Sequence, residues 1–142
     1  MSTNGTAGDI GLRFLTTAAA LRRTLDDHMT GTGASLARTK ILQVLARQGP
    51  VRQARLADEL GQAARSITQA VETMERDGLV LRSPDPGDGR AKVVTATSAG
   101  LRALAAGETA GNEVLRRIFR RLRSSELATL DHILTAIDTQ IR

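Results

Sequence analysis

Cysteine, tryptophan and tyrosine are absent from this 142-residue chain, and its only aromatic residues are Phe14 and Phe119. Without cysteine there are no disulfides, no thiolate zinc sites and no thiol-based redox sensing. Without aromatics the core must come from Leu, Ile, Val, Ala and Met, which suits packed helices better than a β-sandwich. The same scarcity argues against single-strand RNA reading, which relies on aromatic stacking platforms. No apolar run approaches the roughly 20 residues of a membrane span. Residues 1–8 are rich in Ser, Thr and Gly, which predicts a flexible N-terminus, neither signal peptide nor membrane anchor.

Catalytic and metal-binding patterns are missing too. The two histidines, His28 and His132, fall on different predicted helices, with no carboxylate or histidine at ligand spacing. No glycine-rich phosphate loop or nucleophile elbow is present. The expectation is a cytoplasmic, non-enzymatic protein without metal or cofactor, built as one domain.

What the chain does have is positive charge, 20 Lys/Arg against 15 Asp/Glu for a formal net charge of +5. A basic balance favours a polyanionic partner, because a cation placed on a phosphate releases condensed counterions. The central stretch, residues 51–92, is nevertheless neutral. Arg52, Arg55, Arg65, Arg76, Arg82, Arg90 and Lys92 are matched in number by Asp58, Glu59, Glu72, Glu75, Asp77, Asp85 and Asp88. Geometry rather than bulk charge has to carry any recognition there.

Residues 51–100 organise the rest. A short helix is predicted over 52–60, where Leu56 and Leu60 lie one turn apart, and Gly61 supplies a sharp turn. A second helix follows over 63–77. At 3.6 residues per turn, Ile67, Ala70, Val71 and Met74 share its inner arc, while Arg65, Gln69, Glu72 and Arg76 share the outer one, flanked by Thr68 and Thr73. The outer arc offers a guanidinium for guanine, an amide for adenine and hydroxyls for either. Gly78 closes this helix. Leu79, Val80 and Leu81 open a strand, 83–89 is dense in turn formers, and 91–96 returns as the partner strand. Arg90, with Lys92 beside it, sits at the base of the loop, where a cation can reach a minor groove. Asp88 is placed to hold the Arg90 guanidinium by a charge-assisted bond. Helix, turn, helix and hairpin in this order predict a winged helix-turn-helix that reads double-stranded DNA.

The flanks are helical. Ile10, Phe14, Ala18, Leu21 and Leu25 form one stripe over 9–28, ended by Thr30-Gly31-Thr32-Gly33, and its other face is mixed in sign rather than membrane-binding. Residues 36–48 form a helix with Ile41, Leu42 and Leu45 inward and Gly49-Pro50 as its stop. Thr97 or Ser98 caps a long helix over 99–122, with Leu101, Leu104, Ala105, Val114, Leu115, Ile118 and Leu122 apolar. Ser124 caps a last helix with a seam of Leu127, Leu130, Ile133, Leu134, Ile137 and Ile141. These stripes exceed what a small winged unit can cover, and exposed apolar surface of that size marks an interface. The expectation is a homodimer joined through both ends of the chain. Arg116, Arg117, Arg120, Arg121 and Arg123 form the densest charge run, read first as a solvated face paired with Asp26, Asp27 or Asp131. The alternative is an architectural protein that holds nucleic acid without sequence preference through this fifth helix.

With these elements in place, the chain resembles the MarR family of bacterial transcription regulators over nearly its whole length. Its most specific elements are Asp88-x-Arg90 followed by Thr97-x-x-Gly100, preceded by Met74-Glu75-Arg76-Asp77-Gly78-Leu79-Val80. The resemblance implies a mainly α fold of six helices plus a β-hairpin wing. The DNA-binding lobe would span 34–97, and helices 9–30 and 98–142 would make the dimerisation lobe of a single domain over 9–142. It further implies a homodimer on a pseudo-palindromic operator, the fourth helix in the major groove and Arg90 in the minor groove. Many such proteins repress, and release DNA when a small, often phenolic, ligand binds. The implied DNA contacts are Arg65, Ser66, Thr68, Gln69, Thr73, Arg76, Asp88, Arg90 and Lys92. Two positions depart from the family pattern. Gln62-Ala63-Ala64 stands where a Ser or Thr usually caps the recognition helix, leaving Arg65 and Ser66 to take over that phosphate contact. Ala96 replaces the usual Leu before Thr97.

Overall fold

Aliphatic periodicity is realised as six helices and three short strands in the computed structural model, which describes residues 5–32 and 34–142. The chain divides into two compact units, Met1–Gly111 and Asn112–Arg142.

In the first unit, helix α1 spans Ala7–Met29 and begins two residues earlier than expected. The reason is a capping box. Thr6 Oγ1 accepts from the Asp9 N–H at 3.2 Å, and the Asp9 carboxylate accepts from the Thr6 N–H at 3.3 Å, so two of the N–H groups that lack an intrahelical partner at this end are satisfied. Of the flexible terminus expected over 1–8, Thr6 is instead the cap and Ala7 and Gly8 are helical, while residues 1–4 lie outside the described residues. Of the stripe on α1, Leu25 is buried, whereas Ile10 and Phe14 stay 58% and 43% exposed. A 3₁₀ turn over Thr30–Thr32 ends the helix where its Thr/Gly stretch predicts; Gly33 lies outside the described residues.

Helix α2 spans Leu36–Gln48, capped by Ser35 through the Arg38 N–H at 3.1 Å. Asp26 on α1 accepts from the Leu36 N–H at 2.8 Å, so this carboxylate serves a helix terminus rather than the arginine run. Helix α3 (Gln53–Leu60) and helix α4 (Ala64–Arg76) meet at Gly61, whose φ of 61° and ψ of 35° lie in the left-handed region that costs glycine least. On α4, Ile67, Val71 and Met74 are fully buried, each worth ~1.5–3 kcal/mol against exposure. They pack with Ile41, Leu42, Val44 and Leu45 of α2, Leu56 of α3, and Leu104 further along.

Sequence periodicity gave two strands; the fold has three. Strand β1 (Val51–Arg52) pairs antiparallel with β3 (Asp88–Ala96), which also pairs with β2 (Val80–Asp85), in the order β1-β3-β2. Two residues are too short for a periodic signal, and β1 exists because Val51, opposite Val94, is buried in the core. The hairpin is also tighter than its turn formers suggest. Asp85 opposes Asp88 across Pro86-Gly87, with a register shift at Pro84/Asp85.

Helix α5 spans Ser98–Phe119. Thr97 precedes it and binds three ways. Its Oγ1 accepts from the Gly100 N–H at 3.0 Å and donates to the Gly78 carbonyl at 2.6 Å, and its N–H donates to the Leu79 carbonyl at 3.0 Å. This close approach needs Gly100, where a Cβ would overlap the Leu79 carbonyl. The pattern Gly78-Leu79 … Thr97-x-x-Gly100 is therefore one welded joint between α4, β2 and α5.

The second unit holds the end of α5 and helix α6, Ser124–Ile141. Ser124 is its first helical residue rather than its cap. The N-cap is Arg123, whose N–H donates to Glu126 Oε1 at 2.9 Å while its Nε donates to the same oxygen at 3.1 Å. No residue of α6 is buried, and Leu127, Ile133, Leu134, Ile137 and Ile141 are exposed along it. Among the described residues, no helix is long and apolar enough to cross a membrane, and no His/Cys/Asp/Glu cluster could hold a metal ion.

Candidate nucleic-acid interface

The outer face of α4 carries Arg65, Ser66, Gln69, Glu72 and Arg76, all exposed. Ala63 is the N-cap of α4, and no side chain caps that end, which forgoes on the order of 1 kcal/mol. The first-turn N–H groups therefore remain available to an anion. Thr68 and Thr73 lie at the margin of this face and are half-buried. Thr73 Oγ1 donates to the Gln69 carbonyl at 3.0 Å. Thr68 Oγ1 donates to the Ala64 carbonyl at 3.0 Å and accepts from Gln53 Nε2 at 2.7 Å. Its hydroxyl thus ties α3 to α4 and is engaged as donor and acceptor at once.

The wing carries Asp88, Arg90 and Lys92, all exposed. Asp88 Oδ1 accepts from the Arg90 backbone N–H at 3.1 Å. The expected bond to the Arg90 guanidinium is replaced by this local two-residue turn, so Asp88 sets the main chain and leaves the side chain to project.

Charge neutrality resolves into two sides. Arg82 donates to Glu75 from Nε at 3.2 Å and from Nη2 at 3.0 Å, its own N–H reaches Glu75 Oε2 at 3.0 Å, and Glu72 lies 3.9 Å away. These contacts hold the Glu75 carboxyl below its ordinary range, the side-chain hydrogen bond from Arg82 contributing most. Arg52 pairs with Asp85 at 2.6 Å, Arg55 with Glu59 at 3.7 Å, and Asp77 with Arg38 of α2 at 2.6 Å. Of the seven cations, Arg65, Arg76, Arg90 and Lys92 form no ion pair among the described residues, against Asp58 and Asp88 on the acidic side. Five of the seven acids are consumed in ion pairs, one of them with Arg38 of α2, and the unpaired cations sit on the outer face of α4 and on the wing.

All nine residues singled out from sequence therefore lie on α4 or the wing, but with different freedom. Thr68 and Asp88 act within the fold. The links Gln53–Thr68, Arg82–Glu75 and Arg52–Asp85 escaped the sequence reading. Only Asp85 before Pro86-Gly87, a turn-closing carboxylate in the usual position, hints at one of them.

Comparison with known proteins bears on the fold. Residues 35–92 match the model of the MarR family. The chain superposes on a mutant MarR from E. coli complexed with operator DNA with a TM-score of 0.81, at 20% identity, covering 90% of this chain and 92% of that one.

The fold of this chain is that of MarR-family regulators.

AbsC, a MarR-family transcriptional regulator of Streptomyces coelicolor, matches with a TM-score of 0.82, at 22% identity, over 99% of each chain. A probable transcriptional regulator of Pseudomonas aeruginosa matches at 29% identity with a TM-score of 0.80, over 90% of this chain and 96% of that one. Among curated proteins, the HTH-type transcriptional repressor IacR of Pseudomonas putida is 27% identical over 100 residues, 70% of this chain. The chain spans 60% of that repressor's length. These relatives are transcription regulators rather than enzymes, and the MarR-family winged helix, with six helices and a three-stranded sheet, is the fold of this chain.

Proposed function

We propose that this protein is a member of the MarR family and a sequence-specific transcriptional repressor that binds a pseudo-palindromic operator as a homodimer. The observation that carries the reading is the segregation of charge. Five of the seven acids of the winged unit are spent on ion pairs, while Arg65, Arg76, Arg90 and Lys92 are left unpaired on the outer face of α4 and the wing. Arg65 and Gln69 read base edges in the major groove, Ser66 and Arg76 hold phosphates, and Arg90 with Lys92 addresses the flanking minor groove. The exposed apolar faces of α1 and α6 are covered by a second copy, which spaces two α4 helices on the duplex. The protein works in the cytoplasm and gives up DNA when a small-molecule effector binds, a step that rests on the family resemblance.

Selection of bound duplexes from a random pool tests this reading. An enriched palindrome that resists competition by random duplex supports it. Equal affinity for every sequence would favour the second reading, an architectural protein gripping phosphates through Arg116, Arg117, Arg120, Arg121 and Arg123, all exposed on the described surface. Titrating the operator complex with small phenols tests release.

A further inference from the structure

Arg52 occupies the N-cap of α3 with φ −61° and ψ 139°, and it makes no side-chain cap hydrogen bond. That position favours Ser, Thr, Asp or Asn, whose oxygens accept from the first helical N–H groups. A guanidinium accepts nothing, so the helix end forgoes its cap. The side chain turns instead to the wing, where Arg52 Nε lies 2.6 Å from Asp85 Oδ2.

We propose that Arg52 is a positioning residue of the wing, holding through Asp85 the turn that presents Arg90. This rests on the DNA-binding reading above. Asp85 uses both carboxylate oxygens, since Oδ1 accepts from the Gly87 N–H at 2.7 Å and Oδ2 takes the Arg52 guanidinium. Although near the tip of a hairpin, the Asp85 side chain is only 14% exposed. It opposes Asp88 across the turn, and Asp88 in turn accepts from the Arg90 N–H. The Arg52 main chain pairs with Val93, three residues beyond Arg90 on the same strand. Side chain and main chain of one residue therefore fix both the tip and the root of the segment that carries Arg90. The bonds from Gly87 and Arg52 hold the Asp85 carboxyl below its ordinary range, so the strap is ionised near neutral pH. The result is a wing set at a fixed offset from the helix-turn-helix before DNA arrives, which lowers the ordering cost of binding.

Three variants of the full-length protein test the strap, followed by melting, amide hydrogen exchange and binding to the selected operator. Arg52→Ser supplies a proper helix cap while removing the strap. Its melting temperature should hold or rise, while exchange at Gly87, Gly89 and Arg90 quickens and operator affinity falls, each by about twofold to fivefold, as for an exposed ion pair. The affinity loss should concentrate at base pairs flanking the palindrome. Asp85→Asn keeps an acceptor for Gly87 and should show a smaller change in the same direction, and Arg52→Lys should recover part of the loss. Unchanged wing exchange in Arg52→Ser would overturn the proposal. So would a lowered melting temperature with exchange quickened evenly across the chain. Quickened wing exchange in a protein that selects no operator would uphold the strap while overturning the proposed function.

Discussion

Gln53 Nε2 lies 2.7 Å from Thr68 Oγ1, so the first helix of the helix-turn-helix grips the second by a hydroxyl that also bonds the Ala64 carbonyl. Thr68→Val should therefore act on stability rather than on base preference. Leaving the half-buried Gln53 amide without its acceptor costs ~1–3 kcal/mol, read by urea unfolding. A changed base preference at one operator position, with unaltered stability, would return Thr68 to the recognition surface.

Arg90 projects from a main chain fixed by Asp88 and forms no ion pair among the described residues. Arg90→Ala should weaken operator binding and reduce the slope of log affinity against log salt by about one unit, as one phosphate-neighbouring cation is lost. Arg65→Ala and Gln69→Ala should each lose ~1–3 kcal/mol of discrimination at a single base position. A uniform loss over all sequences would show that these two touch only phosphates.

Glu75 links α4 to β2 through Arg82, and its carboxyl is held below its ordinary range. A depressed folded-state pKa means the linkage contributes fully above the unfolded value, 4.5 for the free group, and fades as pH falls through the lower folded value. Between pH 7 and 5 the melting temperature should not depend on this pair; below that range the wild type should lose stability faster than Glu75→Gln. Parallel acid curves for the two proteins would remove Glu75 from the acid response.

Gly100 and Gly111 lie on the same helix but in different surroundings. A Cβ at Gly100 overlaps the Leu79 carbonyl, whereas at Gly111 it meets only Met29 Sδ at 3.9 Å, an ordinary contact. Gly100→Ala should destabilise by about 1–3 kcal/mol or prevent folding, and Gly111→Ala should stabilise by ~0.5–1 kcal/mol through helix propensity. Equal effects in chemical unfolding would contradict the joint at Thr97.

Ile133 and Ile137 remain 47% and 37% exposed on α6. If a second copy covers them, Ile137→Glu should convert the dimer to a monomer in sedimentation and abolish binding to the full palindrome. A wild-type protein that sediments as a monomer at micromolar concentration would remove the dimer from the proposed function.

The order of elements was legible because helices announce themselves locally. Ile67, Val71 and Met74 recur at helical spacing, Gly61 and Gly78 punctuate, and Pro86-Gly87 marks the turn, so α4 and the wing could be placed from the chain alone. Exposure of Arg65, Gln69 and Arg76 followed from the same spacing. What the sequence could not determine were contacts made across it. Strand β1 is two residues long and exists only because β3 lies beside it. Whether a Thr or Asp faces outward or serves the fold depends on what the chain brings near: Gln53 for Thr68, the Arg90 N–H for Asp88. The balance of charge shows this most plainly. Composition makes the winged unit neutral, and apart from the local pair Arg55–Glu59 only tertiary structure spends its acids, on Arg38, Arg52 and Arg82, leaving four unpaired cations on the outer face of α4 and the wing. Pairing energies depend on distance in space, and a count along the chain carries no distance.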